Sequence, residues 1–193
     1  SVLLDGNFLT NIESGWGDEV PVSVSNAQSP CIFHRLNGDT RLTYRRNSDL
    51  YRVERIKLAG SSTWGNETTI ATSSGLGAGT YYETSAGVLH LAYSNASNIL
   101  IDYVWNDVTS TWTVFAQITT NAYYPAFGRR KNGELHVAYL DINLNSLYER
   151  IYNESTETWS EAVLISSGVS NTPCYIQRKN NGFMIAYGKG GTY

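Results

Sequence analysis

The sequence predicts an all-β fold, a β-propeller of four four-stranded blades, and three observations predict it. Trp16, Trp64, Trp112 and Trp159 stand 48, 48 and 47 positions apart. Gly38, Gly87, Gly133 and Gly182 each open an apolar stretch that ends in Tyr44, Tyr93, Tyr139 and Tyr187. The composition agrees, because 14 Tyr and 17 Gly against a single Met favour strands and turns over helices. A period near 48 residues with room for four short antiparallel strands is that of a propeller blade.

Taken in order, residues 1–24 hold a strand at Ser1–Leu4, the corner at Trp16 and a strand at Val20–Val24, the third and fourth strands of a blade. Blade one, 25–74, opens around Pro30, turns at Gly38, runs to Tyr44 and returns through Glu54 to the corner at Trp64. Blade two, 75–121, carries Leu89-His90-Leu91-Ala92-Tyr93 as its second strand and its corner at Trp112. Blade three, 122–171, opens around Pro125, continues through Leu135-His136-Val137-Ala138-Tyr139 and reaches its corner at Trp159. Residues 172–193 supply Phe183-Met184-Ile185-Ala186-Tyr187 and stop after a second strand, so that 172–193 plus 1–24 make the fourth blade. The ring is expected to close on itself there, pairing strand edges that would otherwise stay open. Each corner Trp is expected to pack between neighbouring blades, burying a large ring once per repeat.

Charge and length exclude several functions. With 14 Lys and Arg against 17 Asp and Glu, the chain has a net charge of −3 and no basic stripe for nucleic acid or an anionic membrane. No apolar run approaches the ~18 residues of a spanning helix, so no membrane insertion is expected and the chain reads as one soluble domain with any signal removed. There is no His-X-X-X-His, Cys-X-X-Cys, phosphate loop or nucleophile elbow, and no metal or cofactor is expected.

The corners Ser61-Ser62-Thr63-Trp64, Thr109-Ser110-Thr111-Trp112 and Glu157-Thr158-Trp159-Ser160 resemble degenerate Asp-box repeats. With the Leu-His-(Leu/Val)-Ala-Tyr strands they make the chain similar to the sialidase-like propellers, which include phage tail and virion receptor-binding modules, and to propeller lectins. The resemblance implies the propeller fold and an extracellular or virion-surface setting. For a sialidase-like hydrolase it further implies an arginine cluster, a carboxylate-activated Tyr and an acidic proton donor. Arg35, Arg130 and Arg178 recur just before the glycine turns, on the face opposite the one such enzymes use, and read as solvated turn residues. Glu54, Asp102 and Glu149 share one third-strand position, and a residue repeated in three blades reads as scaffold. His90 and His136 give way to Arg41 and Met184 in the other copies, which favours packing over metal ligation.

Cys31 follows Ser29-Pro30 and Cys174 follows Thr172-Pro173, the same place in blades that adjoin once the ring closes. Two readings are open: a disulfide, contributing about 4–5 kcal/mol by the chain-entropy argument, or two small apolar thiols. The remaining surface is the face of second-to-third-strand loops. There Asn47, Asp49, Asn98, Asp141 and Asn143 can pair with sugar hydroxyls, and Tyr81, Tyr82, Tyr123 and Tyr124 offer aromatic platforms at blade starts. The leading expectation is a non-enzymatic ligand-recognition module for a cell-surface glycan or receptor protein, displayed in multiple copies on a larger assembly. The alternatives are a structural or protein–protein module, and a glycan hydrolase drawing its carboxylates from Asp18, Glu19, Asp49, Asp141 and Glu154.

Overall fold

The computed structural model describes residues 27–75, 77–130, 132–177 and 183–189. These form antiparallel sheets and no helix. The first sheet joins β1 (Ala27–His34), β2 (Thr40–Arg46), β3 (Arg52–Lys57) and β4 (Thr68–Ala71) in chain order. The second joins β5 (Thr80–Glu83), β6 (Leu89–Ser94), β7 (Leu100–Asn106) and β8 (Thr111–Thr119) in the same way. In the third, β9 (Ala122–Arg129), β10 (Leu135–Asp141) and β11 (Ser146–Asn153) are followed by an outer edge split between β12 (Thr158–Trp159) and β13 (Val163–Ser167), both paired to β11. The last sheet contains β14 (Cys174–Gln177) and β15 (Phe183–Ala186).

The first strands sit side by side, β1 against β5, β5 against β9 and β9 against β14, so the sheets are arranged like propeller blades around them. Each sheet is open. The part of the expected fourth blade drawn from residues 1–24, with Trp16, lies outside the described residues.

The glycine series marks one recurring hairpin. Arg35, Thr84 and Arg130 each accept at their carbonyl from the amide of Gly38, Gly87 or Gly133, whose φ angles are 92°, 80° and 88°. That left-handed conformation is cheap only for glycine. Ser29 and Tyr124, each preceding a proline, also have positive φ (51° and 54°) and sit at bulges in the β1–β2 and β9–β10 ladders. The repeated bulge bends the first strand at its entry.

The core lies between sheets as well as within them. Leu89, Leu91, Tyr93 and Tyr81 of the second sheet receive Cys31, Phe33 and Ile70 of the first. Ala92, Leu100 and Ile118 of the second meet Val137 and Tyr139 of the third. The second strand of the second sheet, LHLAYS in β6, is buried along its whole length, and that of the third, β10, up to its last residue. Ile32, which holds in β1 the place of Tyr81, Phe127 and Tyr175, is by contrast 65% exposed.

Cys31 and Cys174 are not bonded to each other in the structure. The reason is placement: Cys31 packs into the cluster between the first two sheets, whereas Cys174 is exposed on β14, which lies against β9. Burial pushes the Cys31 thiol above its ordinary value.

Candidate functional site

The residues that position the site are the repeated ones. At each junction a third-strand carboxylate accepts from its own sheet and from the next. Glu54 accepts from Arg41 Nη1 at 3.0 Å, Tyr81 Oη at 2.7 Å and Trp112 Nε1 at 3.1 Å. Asp102 accepts from Tyr82 Oη at 2.8 Å and Trp159 Nε1 at 3.3 Å, with His90 Nδ1 3.2 Å away. Glu149 accepts from Tyr175 Oη at 2.5 Å, with His136 Nδ1 3.0 Å away. Trp112 and Trp159 therefore do pack between sheets, and each spends its indole N–H on the carboxylate of the preceding sheet. At the second junction Phe127 stands where a Tyr would reach back. The hydroxyl comes instead from Tyr82, whose ring stacks on His90 at 4.4 Å and meets Phe127 at 4.3 Å.

This exchange shapes a cleft of about 470 Å³ at the glycine-turn ends of the first strands. Phe33, Tyr81, Tyr82 and Phe127 contribute its aromatic lining, and His34, Leu36, Glu83, Thr84, Ser85 and Arg129 its rim. The volume is that of a small-ligand site. Two further hollows, about 490 and 520 Å³, share Ser85 with it and Glu154 with each other, so the three run on from one another.

The rim is tied on both sides. Arg35 reaches from the first sheet to Glu83 Oε1 at 3.0 Å, to Asp107 Oδ1 at 2.8 Å and to the Gly87 carbonyl at 3.2 Å. The reading of Arg35 as a solvated turn residue is thus corrected: it is 4% exposed, because two carboxylates of the next sheet hold its guanidinium down. Arg130 is exposed, and Arg178 lies outside the described residues. From the third sheet, Glu154 accepts from the Ser85 amide at 3.0 Å and from the Ser85 hydroxyl, while Arg129 bridges Glu154 Oε1 (3.0 Å) and the Glu83 carbonyl (2.6 Å).

The electrostatics differ from one carboxyl to the next. Partial burial would raise the Glu154 carboxyl, but Ser85 and Arg129 outweigh it and hold the group below the ordinary carboxylate range. Glu149 follows the same pattern, with His136 and Tyr175 outweighing burial. Burial dominates at Glu54 and raises it despite Arg41, Tyr81 and Trp112. A depressed carboxyl stabilises the fold above its unfolded value and loses that contribution as pH falls through its folded value. Thermal stability should accordingly fall as pH drops below about 4.5, the ordinary glutamate value, with Glu54 working in the opposite direction. Melting curves from pH 7 to pH 3 check this; Glu154→Gln should melt lower at pH 7 and fall less on acidification, and an unchanged profile would count against a depressed Glu154 carboxyl.

The sequence-derived binding residues fall in three places. Tyr81 and Tyr82 are buried, with hydroxyls committed to Glu54 and Asp102, and both line the cleft. Tyr123 and Tyr124 are half-buried and contact each other at 5.7 Å, and Tyr124 packs on the core of the third sheet. The loop residues lie at the other end of the strands and are occupied in local turns. Asp49 accepts from Arg46 and the Tyr51 amide, and Asp141 accepts from the amides of Asn143 and Leu144. Asn98 holds a φ of 62°, and Asn47 is half-buried beside Asp49. The cleft thus takes in Tyr81 and Tyr82 and none of the other seven. Phe33, Phe127, Arg129 and Ser85 were not among the sequence-derived residues; the signal available was Phe127 breaking the Tyr series. Among the described residues no cluster of His, Cys, Asp and Glu is arranged to hold a metal ion.

No protein-family model matches the chain, and no curated protein matches it. Solved structures do. An α-L-arabinofuranosidase of Fusarium graminearum is similar with a TM-score of 0.63 at 14% identity, over 86% of this chain and 57% of its own. An ulvan lyase, a polysaccharide lyase, is similar with a TM-score of 0.67 at 12% identity, over 84% and 47%. An exo-β-1,3-galactanase of Clostridium thermocellum is similar with a TM-score of 0.59 at 12% identity, over 84% and 41%. The chain spans about half the length of the structures it matches. The likeness is one of fold: all-β and propeller-like, among β-propeller-like glycan-active proteins. It overturns the expectation of a non-enzymatic module, since these neighbours are glycan-processing enzymes. The receptor-protein, multi-copy, virion, tail-fibre and lectin readings draw no support from them.

Proposed function

We propose that the chain is a propeller domain of a glycan-processing protein and that the cleft between Phe33, Tyr82 and Phe127 holds a saccharide. The observation that carries the reading is the cleft itself, an aromatic lining under a rim of fixed donors and acceptors. Sugar rings present apolar C–H faces to aromatic groups and hydroxyls to polar ones, and this lining offers both. Glu154 and the Glu83 carbonyl are held by Arg129, so the rim is ordered before a ligand arrives and little ordering cost is left to pay. The names of the structural neighbours, which act on arabinosides, β-1,3-galactan and ulvan, set the first ligands to try. Closure of the ring by residues 1–24 beside β14 and β15 belongs to the same reading, as does an extracellular setting.

The test is titration with oligosaccharides of those three polymers, followed calorimetrically, together with a turnover assay on each polymer. Binding should be seen with at least one of them. Leu36 is 82% exposed at the rim, so Leu36→Asp leaves the fold intact. Leu36→Asp and Phe127→Ala should each weaken binding by about tenfold, the size of one lost aromatic or apolar contact. Retention of full affinity by both variants would place the ligand elsewhere.

A further inference from the structure

Arg45 and Arg52 face each other directly across the β2–β3 ladder, at the end of the strands away from the cleft. They are 7% and 0% exposed. Arg35, Arg41, Arg46 and Arg129 all pair with carboxylates. These two do not. Arg52 donates to the carbonyls of Gly77 (2.7 Å) and Ser29 (3.3 Å), and Arg45 donates to Gln28 Oε1 at 3.1 Å. Both Nε atoms are buried and make no hydrogen bond. Two buried cations side by side with neutral partners only is a costly arrangement, since buried charges are ordinarily paired. Burial lowers Arg52 to about 10, and Arg45 adds to the lowering by repulsion.

The repeat shows that the fold does not require them. The register partners at the same place are Ser94 and Leu100 in the second sheet, and Leu140 and Leu147 in the third. A repeated residue serves the scaffold; this pair occurs in one sheet and departs from it. Gln28, an exposed side chain, caps Arg45 with its amide oxygen.

We propose that Arg45 and Arg52 form an oxyanion site, separate from the cleft, which takes the carboxylate or sulfate group of an acidic saccharide in place of the Gln28 amide oxygen. An anionic oxygen there accepts from Arg45 through a charge-assisted hydrogen bond and lies in the field of Arg52 at the low effective dielectric of the interface. The tyrosine Tyr93, whose ring centre is 5.3 Å from the Arg52 guanidinium, bounds the site on the second sheet.

The test uses glucuronate and inorganic sulfate as probes, with glucose and chloride at matched ionic strength as controls, on the whole chain and two variants. Arg45→Leu/Arg52→Leu copies the leucine pair of the third sheet and should fold with a melting temperature at or above that of the parent. Gln28→Glu places a carboxylate at the Arg45 contact and should also raise it. The parent should be stabilised by glucuronate, sulfate or both, by a few degrees at concentrations well above the dissociation constant. Both variants should lose at least about tenfold in anion affinity. Equal anion responses in parent and variants, or no response beyond the controls, would overturn the site. A neutral oligosaccharide titrated in parallel separates the two proposals. Its binding without an anion response sinks the arginine site alone, and an anion response without its binding sinks the cleft alone.

Discussion

Glu54→Ala should cost about 3–5 kcal/mol of unfolding free energy, the loss expected when one partner of a buried ion pair is removed. Three groups lose their acceptor at once: the Arg41 guanidinium, the Tyr81 hydroxyl and the Trp112 indole N–H. Arg41 is the decisive one. It is 2% exposed, and its guanidinium lies 4.0 Å over the Trp105 ring, so it cannot turn to water without opening the junction. Equilibrium urea unfolding measures the loss. The double variant Arg41→Leu/Glu54→Leu should recover much of it, because removing both charges also removes their desolvation cost. A loss under about 1 kcal/mol in Glu54→Ala would mean that the junction is held by apolar packing alone.

Trp159→Ala should cost a similar amount, about 3–5 kcal/mol for a large ring deleted from a packed junction, and should weaken saccharide binding as well. The ring backs Tyr82, Phe127 and Tyr152, with centroids 6.1, 5.8 and 5.0 Å away, and its N–H reaches Asp102. Tyr82 and Phe127 line the cleft, so the variant leaves their rings unsupported. Urea unfolding and calorimetric titration of the same preparation read the two effects separately. Loss of stability with unchanged affinity would show that Trp159 serves the junction and that the cleft does not depend on it.

Much of the scaffold was legible in the sequence because it repeats. The glycine turns at Gly38, Gly87 and Gly133 and the second strands ending at Tyr44, Tyr93 and Tyr139 each demand one backbone conformation or one buried face per unit, and the demand recurs at constant spacing. The shared position of Glu54, Asp102 and Glu149 was visible too, and its reading as scaffold is what the junctions show. Their partners were not legible. Trp112 lies 58 residues from Glu54, Trp159 lies 57 from Asp102, and Arg35 lies 72 from Asp107. Contacts of about one unit or more, running from sheet to sheet, leave no local pattern. Tyr81 and Tyr82 show the same limit: adjacent in sequence, they point to opposite faces of β5, and one hydroxyl goes to the preceding sheet while the other stays in its own.

By itself the sequence determined the all-β class, the unit length and the places of the turns, since strand alternation and glycine conformation act over a few residues. It also set the net charge of −3, and placed Arg45 and Arg52 in one unit and no other. The tertiary structure alone decided which surface is concave and which charges are paired. A cleft exists where Phe127 replaces a tyrosine against Tyr82. Arg45 and Arg52 stand apart from the other buried arginines, Arg35 and Arg41, because no described carboxylate reaches them. Both depend on the distance between side chains from different strands or sheets, which packing sets and the order of residues does not express.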